Sequence, residues 1–309
     1  MGRTLLGIAL TGLLLACGGD SPEPLAPVED PLDWVDPRIG SGGFGFAYGS
    51  SFVGASAPHG LVKLGPDTSG EFSDINFLHY SGYWADDDTI LSFTHMHLHG
   101  TGLSDYGILA VMPTHEFDPQ KTRVTSYAAT FDKQTEVATP GFYGVTLDSG
   151  IEVELAASTR AGAHRYQSGS ADQPLFLVID LGKALQGNDV DDGEVSIDAE
   201  TGIIRGRLRS HGAMTGNYGG HDLFFELHVR QPIANHWTWA DGPAEAGLGS
   251  ALGSKVGVAI EIDGQVAELR VGLSLVSAEG AAANLEAEMP AFDFDAAVTR
   301  TAEAWRELL

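Results

Sequence analysis

Three histidines at alternate positions are the residues of this chain best suited to chemistry. His95, His97 and His99 lie in the segment FTHMHLHG, and alternate side chains of an extended strand point to the same face. The Gly-rich segment 100–107 that follows predicts a turn beside that face. Imidazoles donate and accept hydrogen bonds and bind metal ions. We therefore expect a binding site where this strand ends.

The histidine segment is compatible with two kinds of site. A His-x-His pair on a strand can supply two zinc ligands, and a third could come from His99, His221 or Asp222. Neutral imidazoles can instead hydrogen-bond to uncharged polar groups, because each ring carries one donor and one acceptor. A purely structural role for the three side chains is the remaining alternative.

Other polar and aromatic residues carry weaker signals. Asp86, Asp87 and Asp88 could bind calcium through their carboxylate oxygens, but an exposed turn is the simpler interpretation. Trp237 and Trp239 alternate along a predicted strand end and are expected to pack in the core. Four scattered histidines are expected to be structural: His211, His221, His228 and His236.

Short apolar and β-branched runs dominate the chain from residue 124 onward. Turn signals only a few residues long separate them, which predicts antiparallel hairpins rather than helical crossovers. Ten predicted strands without intervening helices favour a mostly-β protein, built as a large antiparallel β-sandwich. The predicted strands are 124–131, 142–147, 151–158, 163–167, 175–181, 195–198, 203–211, 223–230, 256–262 and 266–276.

The last residues, 277–309, predict helices rather than strands. Segment 293–309 has an apolar stripe at helical spacing and an aspartate, Asp293 or Asp295, suited to cap its first turn. The stripe comprises Phe294, Val298, Thr301, Trp305 and Leu308. Such a helix either packs back on the sandwich or leads to a further domain that this sequence lacks. We favour the second expectation.

Composition and charge exclude some classes of function. The 309 residues are 43% hydrophobic, which is enough for a packed core, and their formal charge of −25 argues against nucleic acid as a partner. The 40 glycines show no collagen-like period and suit the many turns of a β-protein. The segment GSGGFG at 40–45 lacks the strand and helix that a dinucleotide-binding loop needs.

The N-terminus predicts export. Arg3 precedes a short apolar run at 5–15, and LLAC at 14–17 is similar to the lipobox of bacterial lipoproteins. We expect residues 1–17 to be a lipoprotein signal with lipidation at Cys17, the only cysteine of the chain. An ordinary secretory signal is the alternative. Proline-rich residues 18–33 then form a flexible tether. The predicted location is the bacterial cell envelope, in the periplasm or at the cell surface, with a lipid anchor in the membrane.

A series of short motifs resembles the N-terminal domain of glycoside hydrolase family 92, a family of exported bacterial exo-α-mannosidases. The motifs are VDPRIG (35–40), APHGLV (57–62), LGPDT (64–68), SGY (81–83), FTHMHLHGTG (93–102), DYG (105–107) and MPT (112–114). The resemblance implies that residues 34–276 form a β-sandwich of the supersandwich type. It also implies that 277–309 is a helical linker to an absent (α/α)6 catalytic domain.

The resemblance carries expectations about the chemistry. The family is calcium-dependent and inverts the anomeric configuration, which requires a carboxylic acid and a carboxylate about 6.5–9.5 Å apart. These carboxylates, and most of the calcium site, are expected in the helical barrel. We therefore predict no catalytic residue and no metal ligand in this chain, which would contribute loops to a sugar pocket completed by the barrel in cis or in trans.

The predicted substrate-binding residues lie in the motifs shared with the family. They are Tyr83, Trp84, His95, His97, His99, Gly100, Gly102 and Asp105. Three positions depart from the family pattern, namely Trp84, Met96 and His99, and these departures leave the linkage preference open. The predicted ligands are α-mannoside glycans. For the histidines, we favour sugar-pocket or loop-stabilising hydrogen bonds over zinc.

Two other functions stay open. The chain could be a stand-alone carbohydrate-binding sandwich at the cell surface, or a separately encoded subunit that meets its barrel in trans. A stand-alone module should bury Trp305 and Leu308 in its own fold, whereas a fragment or subunit should leave them exposed.

Overall fold

The computed structural model describes residues 30–43 and 51–309. The predicted signal, Cys17, most of the tether and the segment 44–50 lie outside these ranges. Within them, the protein is a sandwich of two antiparallel sheets with two α-helices near its C-terminus, which confirms the predicted fold class. None of the helices in the described ranges is both long and apolar enough to cross a membrane.

The first sheet has nine strands. In spatial order they are β1 (Ala55–Ser56), β2 (Lys63–Ser69), β3 (Thr89–His97), β4 (Tyr106–Thr114), β10 (Leu175–Asp180), β17 (Val256–Ile262), β14 (Ile233–Ala240) and β15 (Glu245–Ala246), and β5 (Ala129–Thr130) pairs with β3.

The second sheet also has nine strands. Its order is β16 (Ser250–Gly253), β11 (Asp189–Asp198), β12 (Ile203–His211), β13 (His221–Val229), β18 (Val266–Ser274), β9 (Ala161–Gln167), β8 (Glu152–Ala157), β7 (Phe142–Thr146) and β6 (Val137–Thr139). Buried and exposed residues alternate along β11, as expected for a sheet with one face on the core.

One large apolar cluster fills the space between the sheets. Strand β10 lies in the middle of the first sheet, and its consecutive residues Leu177, Val178 and Ile179 are all fully buried. A strand buried on both faces reads as a continuous apolar run rather than an alternating one. Trp239 is buried as predicted, and Trp237 packs partly exposed beside it against Phe117.

The predicted strand 124–131 is wrong for most of its length. Its first residues form a 3-10 helix, Val124–Ser126, and only Ala129–Thr130 pair with β3. Tyr127 turns inward between these two elements, and its hydroxyl donates a 2.6 Å hydrogen bond to Asp180 Oδ2. This long-range bond fixes the segment in a form that its β-branched residues alone do not indicate. The other 3-10 helices in the described ranges are Pro31–Trp34, Asn76–His79, Lys133–Thr135 and Thr215–Tyr218.

Helix α1 (Ala278–Glu288) packs on the outer face of β18 and β13. Ser277 caps it by accepting a 3.1 Å hydrogen bond from Gly280 N. Gly272 in β18 permits the close approach, because a Cβ there would lie 2.3 Å from the carbonyl oxygen of Ala281. The helix ends just before Pro290, which cannot continue it.

Helix α2 (Phe294–Leu308) packs back on the sandwich, the expectation that we did not favour. Asp293 caps it as predicted, with a 3.0 Å bond from Ala296 N. Phe294, Ala297 and Thr301 are buried against small residues of β8 and β9, which let the helix lie close to the sheet. Near its end the Trp305 indole N–H donates to the Ser56 carbonyl, 2.7 Å away, while Leu308 is 53% exposed.

Hairpin connections from both sheets meet at one end of the sandwich. The segment 98–105 follows β3, and the segment 212–220 joins β12 to β13. A backbone hydrogen bond of 3.0 Å from Ala213 N to the Ser104 carbonyl joins the two segments. We call these two segments together the rim.

Candidate functional site

The three alternating histidines do not share one face. Strand β3 ends at His97, and its register against β4 shifts between Met96 and His97. A register shift of this kind re-aims the side chains that follow it. His95 contacts the second sheet, whereas His97 contacts β2 of its own sheet and His99 is exposed on the rim. The prediction that all three line one side is wrong, because it assumed an unbroken strand.

His95 lies between the two sheets, in contact with His164 of β9. Its Nδ1 is 2.6 Å from the Leu109 carbonyl and its Nε2 is 3.0 Å from His164 Nε2. Since a carbonyl can only accept, His95 Nδ1 donates, and His164 Nε2 must donate to His95 Nε2. The Tyr166 hydroxyl then donates to His164 Nδ1, at 2.7 Å. Burial lowers the pKa of His95 to about 4 and lowers that of His164 well below its usual range, so both rings are neutral.

His97 belongs to a buried ionic cluster around Asp67. Its Nε2 is 2.7 Å from Asp67 Oδ1, and its Nδ1 is 2.8 Å from the Lys63 carbonyl. Thr94 donates to Asp67 Oδ2 at 3.1 Å, and the same oxygen pairs with the buried Lys183 ammonium. Burial lowers the pKa of His97 to about 4, and the hydrogen bond to the Lys63 carbonyl opposes that change. The cluster holds β2, β3 and the segment after β10 together.

His99 is the histidine of the three that faces solvent. The Phe52 N–H donates a 2.9 Å hydrogen bond to its Nδ1, so the neutral ring carries its proton on Nε2. Partial burial and the nearby Lys63 ammonium lower the pKa of His99 and favour this neutral form. The ring lines a cavity of about 240 Å³ together with His59, Lys63 and Trp305. This arrangement presents a fixed N–H donor beside an indole.

Tyr83 and Trp84 are buried rather than placed at the surface. The Tyr83 hydroxyl donates to Glu136 Oε2 at 2.7 Å and accepts from Lys133 Nζ at 2.8 Å. The Trp84 indole N–H is buried without a hydrogen-bond partner among the residues that the structure describes. Neither side chain is therefore exposed to a ligand at the surface of this domain.

Asp105 joins the two segments of the rim. It is fully buried, and its Oδ2 accepts from Met214 N at 3.0 Å and from Thr215 N at 2.9 Å. Its Oδ1 accepts from the Thr215 hydroxyl at 2.8 Å and from Tyr106 N at 3.1 Å. With this set of bonds the carboxylate positions the rim. Gly100 and Gly102 are exposed, and open space surrounds both.

The acidic run 86–88 is only partly the exposed turn that we expected. Asp86 and Asp88 are exposed, but Asp87 is buried and accepts hydrogen bonds from the Thr68 hydroxyl at 2.7 Å and from His79 Nε2 at 2.8 Å. Across ranges 30–43 and 51–309, no group of three or more His, Cys, Asp or Glu side chains is arranged to hold a metal ion. Among these residues, therefore, no set of ligands is present for either zinc or calcium.

Several residues that matter for the site were missed by the sequence analysis. Asp67 lies in the motif LGPDT, so its motif was noticed but its role was not. Lys183 and His164 carried no signal, because their partners are far away in the chain. In the second segment of the rim, 212–220, the four glycines indicate a turn, but no residue type there indicates a site. It includes Tyr218, which is 86% exposed.

Comparisons with known proteins agree with this architecture. The sequence profile of the glycosyl hydrolase family 92 N-terminal domain matches residues 34–274. A protein of Arthroderma benhamiae described as an uncharacterized secreted glycosidase is 24% identical over 91% of this chain and 38% of its own length. This chain thus spans 38% of the length of that curated relative.

Two solved structures share the fold. A family GH92 alpha-mannosidase from Bacteroides thetaiotaomicron has a TM-score of 0.78 and 23% identity, over 90% of this chain and 38% of the mannosidase. A family GH92 inverting mannosidase from the same organism has a TM-score of 0.77 and 20% identity, over 91% of this chain and 36% of that protein. This two-sheet sandwich thus has the fold of the N-terminal domain of a known class of glycosidases. The chain belongs to glycosyl hydrolase family 92.

Proposed function

We propose that this chain is the N-terminal domain of an exported, calcium-dependent, inverting exo-α-mannosidase. In this proposal the rim closes over a mannoside bound in a catalytic helical barrel outside this chain. The observation that carries the proposal is the placement of His99, which is exposed on the rim and held by the Phe52 N–H beside the 240 Å³ cavity. Membership of family 92 supplies the class of reaction.

The role of His99 follows from its hydrogen bonds. Its Nδ1 is occupied by Phe52 N, so the Nε2–H is the group available to a ligand. A neutral imidazole donates to a sugar hydroxyl without bringing a charge into the pocket. Trp305, whose indole N–H is fixed by the Ser56 carbonyl, offers an aromatic surface on the same cavity. His99 thus orients the sugar, while bond cleavage is left to other groups.

The carboxylates of the site are already engaged within the domain. Asp67, Asp87 and Asp105 are buried and bonded to Lys183, Thr68 and Thr215, respectively. Inversion needs one carboxyl group that protonates the leaving oxygen and another that activates water. We assign both to the catalytic barrel. The inverting mannosidase that shares this fold supports the inverting class of reaction.

Calcium is assigned to the barrel for a similar reason. Calcium takes six to eight oxygen ligands, and the described residues contain no metal-ligating cluster. The described residues of this domain therefore do not fit a calcium site by themselves. No step proposed for this chain depends on the ion.

Export and anchoring form the cellular part of the proposal. The relative from Arthroderma benhamiae is described as secreted, which supports export. The sequence LLAC at 14–17 supports lipidation at Cys17. The mature domain would then be carried on the tether, anchored by lipid in the cell envelope.

A stand-alone carbohydrate-binding module is the second candidate. It is favoured by the docking of α2, since the Trp305 side chain is partly buried and hydrogen-bonded within this domain. Leu308, by contrast, is 53% exposed, so the two residues chosen to separate the candidates give opposite answers.

Hydrolysis of an aryl α-mannoside separates these functions. The purified chain is assayed alone and with the helical barrel of a relative, each with calcium and after chelation. We expect no activity alone and calcium-dependent activity with the barrel. Activity of the chain alone would contradict the proposal. No hydrolysis in either assay, together with binding of the sugar, would favour the binding module.

A further inference from the structure

A cleft of about 710 Å³ opens at the same end of the sandwich as the rim. Its volume lies within the range of about 300–1,000 Å³ that is typical of small-molecule sites. Its wall includes the buried side chains of Asp180, Lys183 and Trp239 and the more accessible Arg123, Asn188 and Lys255. None of the residues predicted from the sequence to bind substrate lines this cleft.

Two hydrogen-bond acceptors of the cleft have capacity to spare. Asn188 donates through Nδ2 to the Ser104 hydroxyl at 3.3 Å, but its Oδ1 is buried without a partner among the described residues. A buried acceptor that finds no donor costs free energy, so such a group calls for a ligand. Asp180 accepts from the Tyr127 hydroxyl and from the backbone N–H groups of Gly182 and Lys183, which leaves part of the capacity of its two oxygens unused. Burial raises the pKa of Asp180 to about 6, so the group remains mostly ionised at neutral pH.

The charges of the cleft favour a neutral ligand. Each of its lysines is ion-paired with an aspartate, as Lys121 with Asp118, Lys183 with Asp67 and Lys255 with Asp189. The Arg123 guanidinium is exposed at the mouth, and within the described residues it has no ion pair. Asp180 and Asp241, which line the same cleft, carry the opposite charge. A site with mixed donors and acceptors and no excess of positive charge suits hydroxyl groups better than phosphate.

The cleft is continuous with the rim. Asn188 contacts Ser104, which lies in the rim segment that begins next to His99. Lys183 donates to the Gly107 carbonyl at 3.2 Å, immediately beyond that segment. Segment 98–105 thus runs from His99 to Ser104, the residue that contacts Asn188 at the cleft.

We infer that this cleft binds the distal, neutral sugar units of the same glycan whose terminal mannose the rim contacts. Asn188 Oδ1 and Asp180 accept hydrogen bonds from sugar hydroxyls, and Arg123 donates to them. The inference rests on the proposed function for its ligand class, but it concerns a separate set of residues.

The five tryptophans of the chain make the two sites separately observable. Trp239 lines the cleft, and Trp305 lines the cavity at His99. Their indole N–H signals, assigned by single Trp→Phe variants, are followed by NMR while α-mannotriose is added to the full chain. We expect the Trp239 signal to move with a millimolar dissociation constant. Asn188→Ala and Arg123→Ala should each weaken this response about tenfold, as expected for loss of a hydrogen bond to a charged or otherwise unpartnered group.

Matched controls and contrary outcomes are available. Asn235→Ala and Arg230→Ala remove the same residue types from exposed ion-paired or hydrogen-bonded positions elsewhere and should leave the response unchanged. Movement of the Trp305 signal alone would overturn the inference and leave the proposed function standing. Tighter, salt-sensitive binding of mannose 6-phosphate at Trp239 would overturn the neutral ligand class. Movement of neither signal would also overturn the inference, and the hydrolysis assay would then decide the proposed function independently.

Discussion

The buried pair of His95 and His164 links the two sheets through rings that must stay neutral. Their only shared proton lies between the two Nε2 atoms, 3.0 Å apart. Protonating His95 would place two N–H donors against each other, and protonating His164 would bury a charge between the sheets. The pair therefore makes the sandwich sensitive to acid in a way that exposed histidines do not.

We expect the chain to lose stability as the pH falls from neutrality. The pKa of His95 is about 4 in the folded protein, compared with 6.5 for an unperturbed histidine. As the pH falls, the unfolded chain therefore takes up a proton before the folded protein does. Stability is lost between about pH 6.5 and about pH 4, and no more is lost from this group below pH 4. At pH 5, His95 alone should cost about 2 kcal/mol. Urea unfolding at several pH values measures this loss.

One variant away from the contact and one within it control this prediction. His59→Ala removes an exposed histidine and should leave the pH dependence unchanged. His164→Gln removes a titrating ring but retains a donor to His95 and an acceptor for Tyr166. It should therefore reduce the loss of stability between about pH 7 and about pH 5. A stability that is equal at these two pH values in the unaltered chain would contradict the account.

At the scale of elements, Asp105 is expected to set the stability of the rim. Asp105→Asn replaces a carboxylate that accepts four hydrogen bonds by an amide that brings its own donors into the same buried space. The loss should be about 2–3 kcal/mol. Hydrogen exchange should accelerate at the amides of Met214 and Thr215, as measured by mass spectrometry or NMR.

Asp222→Asn is the matched control for that variant. Asp222 pairs with Arg209 at 3.0 Å, and both side chains are about one third exposed. Such a pair contributes less than about 1 kcal/mol. If the two variants lowered stability equally and neither changed exchange at Thr215, Asp105 would not be the residue that joins the rim.

Helix α2 provides a second prediction at this scale. Trp305→Phe keeps an aromatic ring but leaves the Ser56 carbonyl without its 2.7 Å donor, so it should cost about 1–2 kcal/mol. Leu308→Ala, at a position that is 53% exposed, should cost less than about 0.5 kcal/mol. Thermal or urea unfolding measures both, and the reverse order would show that the end of the helix packs differently.

These elements also show what the sequence could predict. Strands such as β12 and β17 were predicted with their bounds, since alternation and short turns are local signals. The face of His97 was not, because the register shift in β3 depends on its pairing with β4. The 3-10 helix at Val124–Ser126 was missed for a similar reason, as Tyr127 is drawn inward by Asp180, 53 residues away.

The same limit applies to the candidate site. His99 lies two residues beyond the end of β3, next to the Gly-rich segment, and its role in substrate binding stays a prediction. The sequence contained nothing to pair Asp67 with Lys183 or His95 with His164, since such contacts arise only when distant strands meet. Burial of Tyr83, Trp84, His95 and His97 likewise follows from the second layer of the sandwich and from segments that pack over the strand ends.

At the scale of the whole molecule, the domain has a rigid core and one end that carries the exposed polar groups suited to ligands. Buried clusters around Asp67, Asp87 and Asp105 hold the strand ends and the rim. His99 and the 710 Å³ cleft lie at that end. We expect this separation of a buried core from a polar end in a domain that positions a glycan for a catalytic partner.

The most direct test of that account is the kinetics of the reassembled enzyme with His99→Ala. The barrel of a relative is combined with the unaltered chain, with this variant, or with His236→Ala as a control on β14, and hydrolysis of an aryl α-mannoside is followed. We predict that kcat/KM falls about tenfold or more for His99→Ala, as expected for loss of a hydrogen bond to the sugar, and that His236→Ala leaves it unchanged. Equal kcat/KM values for all three chains would contradict the claim that this rim contacts the substrate.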